Sequence, residues 1–419
     1  MDPEILLLVA VAAIIGAAIG TFTGAVPGIH VNTAASLLVS AYPAAAEALS
    51  GAVGEELVPV LFCCGIFSAS TVHSFVDFVP SVFIGAPDPD EMLSVLPGHR
   101  LLLQGKGMRA VRAAAVGSAV GACSALLMAV PMQWAMMNGA ADFLDGITTA
   151  VVALCLGLVW YSSGNRIVAV PVILASGIAG IAVNSGAIPC TGVFGEGTLL
   201  FPMLTGMFGI PPLLERTGKR RIPPQKDEPG DCVGPLPGLK GVLTGALAGW
   251  FPGVTSTVGA TIASMFGRER SPEAFISMVA SVGTVTSVMS VVALSVSGSG
   301  RSGTAAAAKD VIGDGLGGFC GDAFVAVLVS MAVASAFGYI ATIGVGRFMS
   351  SVFGRIPEEK LSAAVLVFVT VLVALFTGPF GLAVLAVSAA LGMVPPAIGV
   401  SRVAMTACLM SPTILGSML

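Results

Sequence analysis

Apolar runs close to the length of a membrane crossing, such as residues 113–137 and 361–376, follow one another through almost the whole chain with few ionisable side chains between them. About 20 apolar residues span a bilayer as a helix. Water alone is therefore excluded as the solvent. The 419 residues are 55% hydrophobic and 10% charged, whereas a soluble domain carries roughly a quarter charged residues. About ten crossings with little extramembrane chain are expected, and no separate soluble domain fits. The runs do not alternate as the strands of a closed barrel would, so the expected class is all-α. The chain begins Met-Asp-Pro-Glu, without the basic start of a cleavable signal, and its first apolar run is expected to persist.

The eight cysteines show no repeated metal-ligand spacing, and the three histidines form no pair on one helix face. A metal enzyme is not expected. The net charge of −4 says little about partners, and there is no nucleic-acid signature.

The most polar stretch, residues 215–231, holds Lys219, Arg220, Arg221 and Lys226 among several prolines. It reads as a linker (215–237) between halves 1–214 and 238–419. Basic short loops stay cytoplasmic, which places the linker inside. Counting back, the loops with Arg166 and with Arg100, Lys106, Arg109 and Arg112 fall inside. Those with Glu196, with Asp142 and Asp145, and with Glu47, Glu55 and Glu56 fall outside, as does the N-terminus with Asp2 and Glu4. Counting forward, Lys240, Arg268, Arg270, Arg347, Arg355, Lys360 and Arg402 fall inside, while Arg301 and Lys309 fall outside. Each half thus reads as a re-entrant hairpin followed by about five transmembrane helices. An odd number of crossings per half makes the second half inverted, an arrangement common among secondary transporters.

The hairpins themselves carry the strongest local signal. Gly24 to Thr33 reads Gly-Ala-Val-Pro-Gly-Ile-His-Val-Asn-Thr, and Gly249 to Thr257 reads Gly-Trp-Phe-Pro-Gly-Val-Thr-Ser-Thr. Proline removes a backbone donor and glycine accepts unusual dihedrals, so Pro27-Gly28 and Pro252-Gly253 are expected to interrupt a helix. Such backbone persists at membrane depth only where protein or a watery cavity surrounds it. After the breaks come His30, Asn32 and Thr33 in one half and Thr255, Ser256 and Thr257 in the other. Two helix starts meeting near midplane would suit an anionic group, and hydroxyl, amide and carbonyl oxygens would suit Na⁺. Simple helix capping by the same side chains is the competing reading.

Residues 68–105 are too polar and proline-rich for a plain helix. His73 and Asp77 stand one helical turn apart there, candidates for proton or ion coupling; an interfacial position for both is the alternative. The counterpart, residues 284–310, holds Arg301, a candidate partner for an anion.

These residues resemble the large membrane subunit of the tripartite tricarboxylate transporters, and more closely its archaeal branch that lacks the other components. The resemblance covers nearly the whole chain. It rests on the two Pro-Gly tips, on the stretch from Ala-Pro-Asp-Pro-Asp to Pro-Gly-His-Arg-Leu-Leu-Leu-Gln-Gly-Lys-Gly, and on the late Leu-Gly-Met-Val-Pro-Pro segment. It implies ion-driven uptake of a di- or tricarboxylate across the cytoplasmic membrane, with Pro27, Gly28, Asn32, Thr33, Pro252, Gly253, Ser256 and Thr257 at the matched positions. His30 and the acids between residues 68 and 90 depart from the bacterial pattern. Translocases of undecaprenyl phosphate share a related inverted-hairpin architecture, making lipid-linked phosphate the alternative cargo. The remaining expectations are no resident cofactor, Na⁺ as a candidate coupling ion, membrane lipids as surroundings, a second copy of the chain as a candidate partner, and no nucleic acid. No convincing nucleophile accompanies His30, His73 and Asp77, so an enzyme is not expected.

Overall fold

The computed structural model describes residues 2–26, 29, 31–84, 93, 95–193, 195–196, 198–215, 223–227, 233–266, 269, 271–353 and 358–417. Nearly all of them are helical. The first half contains α1 (Pro3–Ala25), α2 (Val31–Val53), α3 (Leu57–Val76), α4 (Phe78–Phe83), α5 (Val95–Leu103), α6 (Gly107–Ala135), α7 (Ala141–Ser162) and α8 (Arg166–Asn184). It closes with α9 (Leu200–Leu204) and α10 (Ile210–Glu215), joined through one wide turn at Thr205–Gly209. The second half contains α11 (Pro235–Trp250), α12 (Ser256–Phe266), α13 (Pro272–Ser297), α14 (Gly303–Ile312), α15 (Asp322–Phe353), α16 (Glu358–Ala397) and α17 (Ala407–Gly416). A short antiparallel pair, Thr191–Gly192 with Gly195–Glu196, is the extended structure among the described residues.

Seven helical stretches are long and apolar enough to cross a membrane among the described residues. Two of them are broken rods. Gly139 at φ 101° separates α6 from α7, and Gly378 at φ 65° divides α16. Both angles lie in the left-handed region that glycine enters without a Cβ penalty. The chain is thus a multi-pass helical membrane protein, consistent with helices satisfying their own backbone bonds in hydrocarbon.

Element order repeats between the halves. A helix pair around a Pro-Gly break leads into a long helix (α3 or α13), short helical structure (α4 and α5, or α14) and another long helix (α6 or α15). Packing repeats as well, with partners exchanged: α1 and α3 pack on α15, while α11 and α13 pack on α6. Likewise α8 packs on α17, and α9 with the wide turn packs on α16. The centre belongs to α13 and α3, whose apolar windows are 83% and 61% buried, against 22% for α16.

Close approach of the first hairpin helix to the next long helix depends on glycine. Gly16, Gly20 and Gly24 on α1 and Gly241, Gly245 and Gly249 on α11 recur at four-residue spacing, each row ending three residues before the proline. A Cβ on Gly24 would stand 2.9 Å from the His73 carbonyl oxygen of α3, and one on Gly249 would stand 2.9 Å from the Thr286 carbonyl oxygen of α13. Apolar burial drives little between helices in lipid, so van der Waals contact through small residues holds such pairs together.

The stretch 68–105 is not one plain helix, since α3 ends at Val76, Asp77 is the junction to the short α4, and α5 begins at Val95; residues 68–76 and 78–83 are nonetheless helical. Their polar side chains turn toward neighbouring helices and an internal cavity, where they do not oppose the helix. Of the polar stretch beyond, residues 85–92 and 94 lie outside the described residues.

Charges at the ends of the rods form two contact groups. Asp227 of the linker pairs with Arg112 of α6 and with Arg347 of α15. Arg109 approaches Glu273 at 4.0 Å, and Lys240 meets Glu269 at 2.6 Å. The basic members of these pairs, and the linker that holds Asp227, were assigned to one side from sequence. Arg301 and Asp145, assigned to the other, meet at 2.9 Å.

Candidate functional site

Described residues flanking both hairpin breaks line one cavity of about 1030 Å³, at the upper end of the usual range for small-molecule sites. Val26 leaves α1 in an extended conformation (φ −104°, ψ 109°), and Phe251 leaves α11 similarly (φ −86°, ψ 121°). At the second tip Gly253 adopts φ 78°. A Cβ there would meet the Leu409 carbonyl oxygen and Thr413 Oγ1 of α17, both at 2.7 Å, so glycine also permits the tip to lie against α17. The chain then restarts as α12, where Thr255 Oγ1 accepts from the Val258 amide at 3.4 Å as a cap. Thr255 and Ser256 line the cavity, which presents the positive end of α12 to it.

Of the residues singled out from sequence, Asn32, His73, Asp77, Gly253, Thr255, Ser256 and Arg301 line the cavity together. Thr257 is fully buried and, like Pro252, does not form part of the wall. Pro27, Gly28 and His30 lie outside the described residues, as does the side chain of Thr33. The capping role weighed against Thr255 is real, and the same residue faces the cavity.

Asn32, on the first turn of α2, sits against the start of α14. A Cβ on Gly303 would stand 2.6 Å from the Asn32 amide carbon. The first hairpin therefore touches the second half at the helix that follows Arg301.

The central helices contribute one face each. On α3 and the junction that ends it the lining residues are Ser70, His73, Ser74 and Asp77; on α13 they are Gly283, Thr286, Ser287 and Ser290. Both sets follow the spacing i, i+3, i+4, i+7, one face of a helix. Ser70 and Ser287 meet across the middle, hydroxyl to hydroxyl, at 3.1 Å. The scaffold is matched but the chemistry is not. Where α3 offers an imidazole and a carboxylate, α13 offers two hydroxyls. His73 and Asp77 are each 5% exposed, and His73 Nδ1 is hydrogen-bonded to Thr23 Oγ1 at 3.0 Å.

Arg301 is the one guanidinium or ammonium among the described lining residues. It precedes Ser302, whose hydroxyl caps α14 by accepting from the Ala305 amide at 3.1 Å. Asp310, near the end of α14, adds a second carboxylate to the wall besides Asp77.

Sequence reading missed the glycine rows and the α13 hydroxyls. The signal for both was present: Gly-x3-Gly-x3-Gly-x2-Pro-Gly occurs at residues 16–28 and again at 241–253. Two copies of so spaced a pattern mark equivalent helices, and the helix after each should be searched for equivalent faces.

The pattern of the tripartite tricarboxylate transporter TctA family matches residues 10–407. An uncharacterized protein of the archaeon Methanocaldococcus jannaschii is 31% identical over 302 residues, covering 70% of each chain. No solved structure matches the chain. With the family pattern spanning both hairpins and the cavity between them, this chain belongs to the tripartite tricarboxylate transporter TctA family, a family of transporters and not of enzymes.

Proposed function

We propose that the protein is a secondary transporter of a small organic anion, a di- or tricarboxylate, in the cytoplasmic membrane, working by alternating access around the two Pro-Gly tips. The family supplies the substrate class. The observation that carries the reading is that residues flanking both tips line one cavity, with Arg301, Asn32, Thr255 and Ser256 on its wall. A guanidinium and a helix start favour carboxylate, while hydroxyl and amide groups offer directional hydrogen bonds.

The two halves are proposed to be inverted repeats with the N-terminus outside. Supporting this are the repeated glycine and Pro-Gly pattern, the repeated element order, the exchanged packing partners and the grouping of charges. Helix lengths suit a re-entrant second hairpin. The 16 residues of α11 and 11 of α12 rise about 24 and 16 Å, short of a bilayer core of about 30 Å. The first hairpin differs, because α1 has 23 residues and is long enough to cross.

Coupling to H⁺ or Na⁺ is assigned to His73 and Asp77. They are buried on the cavity face of the most polar central helix, and the equivalent face of α13 carries no ionisable group. Ionisable residues at such positions in membrane proteins commonly serve ion or proton pathways.

Uptake of labelled citrate, malate and succinate by proteoliposomes under imposed Na⁺ or pH gradients tests the reading. Saturable, gradient-dependent uptake that falls when Asn32 and Ser256 are both replaced by alanine is expected. Gradient-independent leakage, or uptake indifferent to both replacements, would refute it.

A further inference from the structure

The cavity's guanidinium is already engaged, and what engages it lies outside the cavity wall. Arg301 donates through Nη2 to Asp145 Oδ1 at 2.9 Å, linking the approach to α14 with the start of α7. The pair is lopsided. The Arg301 side chain is 14% exposed, whereas that of Asp145 is 45% exposed. Arg301 Nε is buried without an acceptor, so the fork that would grip a carboxylate with two parallel N–H groups is only partly used. On its other side the guanidinium carbon lies 5.8 Å from the ring centre of Trp250, the last residue of α11 before the second tip, within cation–π reach.

A single hydrogen bond to a half-hydrated carboxylate is a weak competitor. Exposed ion pairs contribute little because water and ions screen them, while a bidentate arginine–carboxylate contact in a drier setting is stronger and more directional. Building on the carboxylate reading above, we infer that Arg301 exchanges Asp145 for a carboxylate of the incoming substrate. Asp145 is then a positioning residue that sets affinity and selectivity. It holds the fork at the cavity edge, and only a ligand able to supply two acceptor oxygens displaces it. Exchange also unties α7 from α14 when substrate arrives, while Trp250 keeps the guanidinium at the second tip.

The exchange makes Asp145 an internal competitor, so its removal should tighten binding. Citrate and succinate are titrated calorimetrically into the purified full chain. Asp145→Asn is expected to bind citrate about threefold to fivefold more tightly, and Asp145→Glu, which keeps a carboxylate for Arg301, to return the constant toward that of the unaltered protein. Arg301→Lys, with no planar fork, is expected to weaken binding by about tenfold, and adding Asp145→Asn to it should then bring no gain. A purely structural role for Asp145 would instead weaken binding in both backgrounds. If the unaltered protein binds neither acid, the carboxylate reading fails and the exchange with it. If it binds them but Asp145→Asn leaves the constant unchanged or weaker, the exchange alone is overturned.

Discussion

His73 on α3 and Thr23 on α1 are joined by a 3.0 Å hydrogen bond one turn before the first hairpin breaks. Gly24, next in the chain, is where a Cβ would strike the His73 carbonyl oxygen at 2.9 Å. The imidazole proposed for coupling is thereby tied to the helix whose end forms a tip of the proposed binding site. A change of protonation or tautomer at His73 would be felt at α1 directly.

Thr23→Val keeps the volume and removes the hydroxyl. A net loss of about 1 kcal/mol in stability is expected, typical of one buried hydrogen bond, measured by thermal unfolding in detergent. Uptake driven by an imposed ion gradient should also fall in this variant, and fall further in His73→Gln.

The glycine rows predict an asymmetry between sites of one residue type. A Cβ on Gly245 would stand 2.7 Å from Val285 Cβ, whereas one on Gly51 of α2 would meet nothing within 4 Å. Gly245→Ala should destabilise by about 1–3 kcal/mol through overpacking. Gly51→Ala should be neutral or stabilising by up to about 1 kcal/mol. Melting of the two variants side by side checks both.

Gln133, fully buried on α6, donates to Ser295 Oγ and to the Gly318 carbonyl oxygen, each at 3.1 Å, and accepts from the Cys320 amide at 3.0 Å. It fixes the loop between α14 and α15 against α6 and α13, and holds Cys320 near the left-handed φ of 51°. Gln133→Leu leaves these partners without it. A loss of more than about 2 kcal/mol is expected, since each stranded buried group costs about 1–3 kcal/mol.

Asp227 bridges Arg112 and Arg347 at a half-exposed position. Asp227→Ala should therefore cost no more than about 1 kcal/mol, and the difference should vanish in high salt. Thermal melts at low and high ionic strength read this directly.

The break at each hairpin was legible because Pro-Gly acts locally, through a missing donor and a permissive φ. His73 and Asp77 were legible because an ionisable group in an apolar run stands out against its neighbours, and Arg301 because it stands in the polar stretch that is their counterpart in the second half. Two things were hidden. The helical course of residues 68–83 across α3 and α4 was one, because polar residues count against a membrane helix only when they face lipid. The pairing of Arg301 with Asp145, and the seating of Asn32 against Gly303, join positions far apart in sequence; no local pattern encodes them. The matched faces of α3 and α13 lay between these cases, readable from the glycine rows once the two copies are aligned.

Whether both tips serve one site is best measured by substrate protection. Single cysteines are placed at Asn32 and at Ser256 in a background lacking the eight native cysteines, and their labelling by a small charged thiol reagent is followed as citrate is added. Protection of both positions with the same half-saturating citrate concentration is predicted. Protection at one tip only, or at neither, would contradict a shared site.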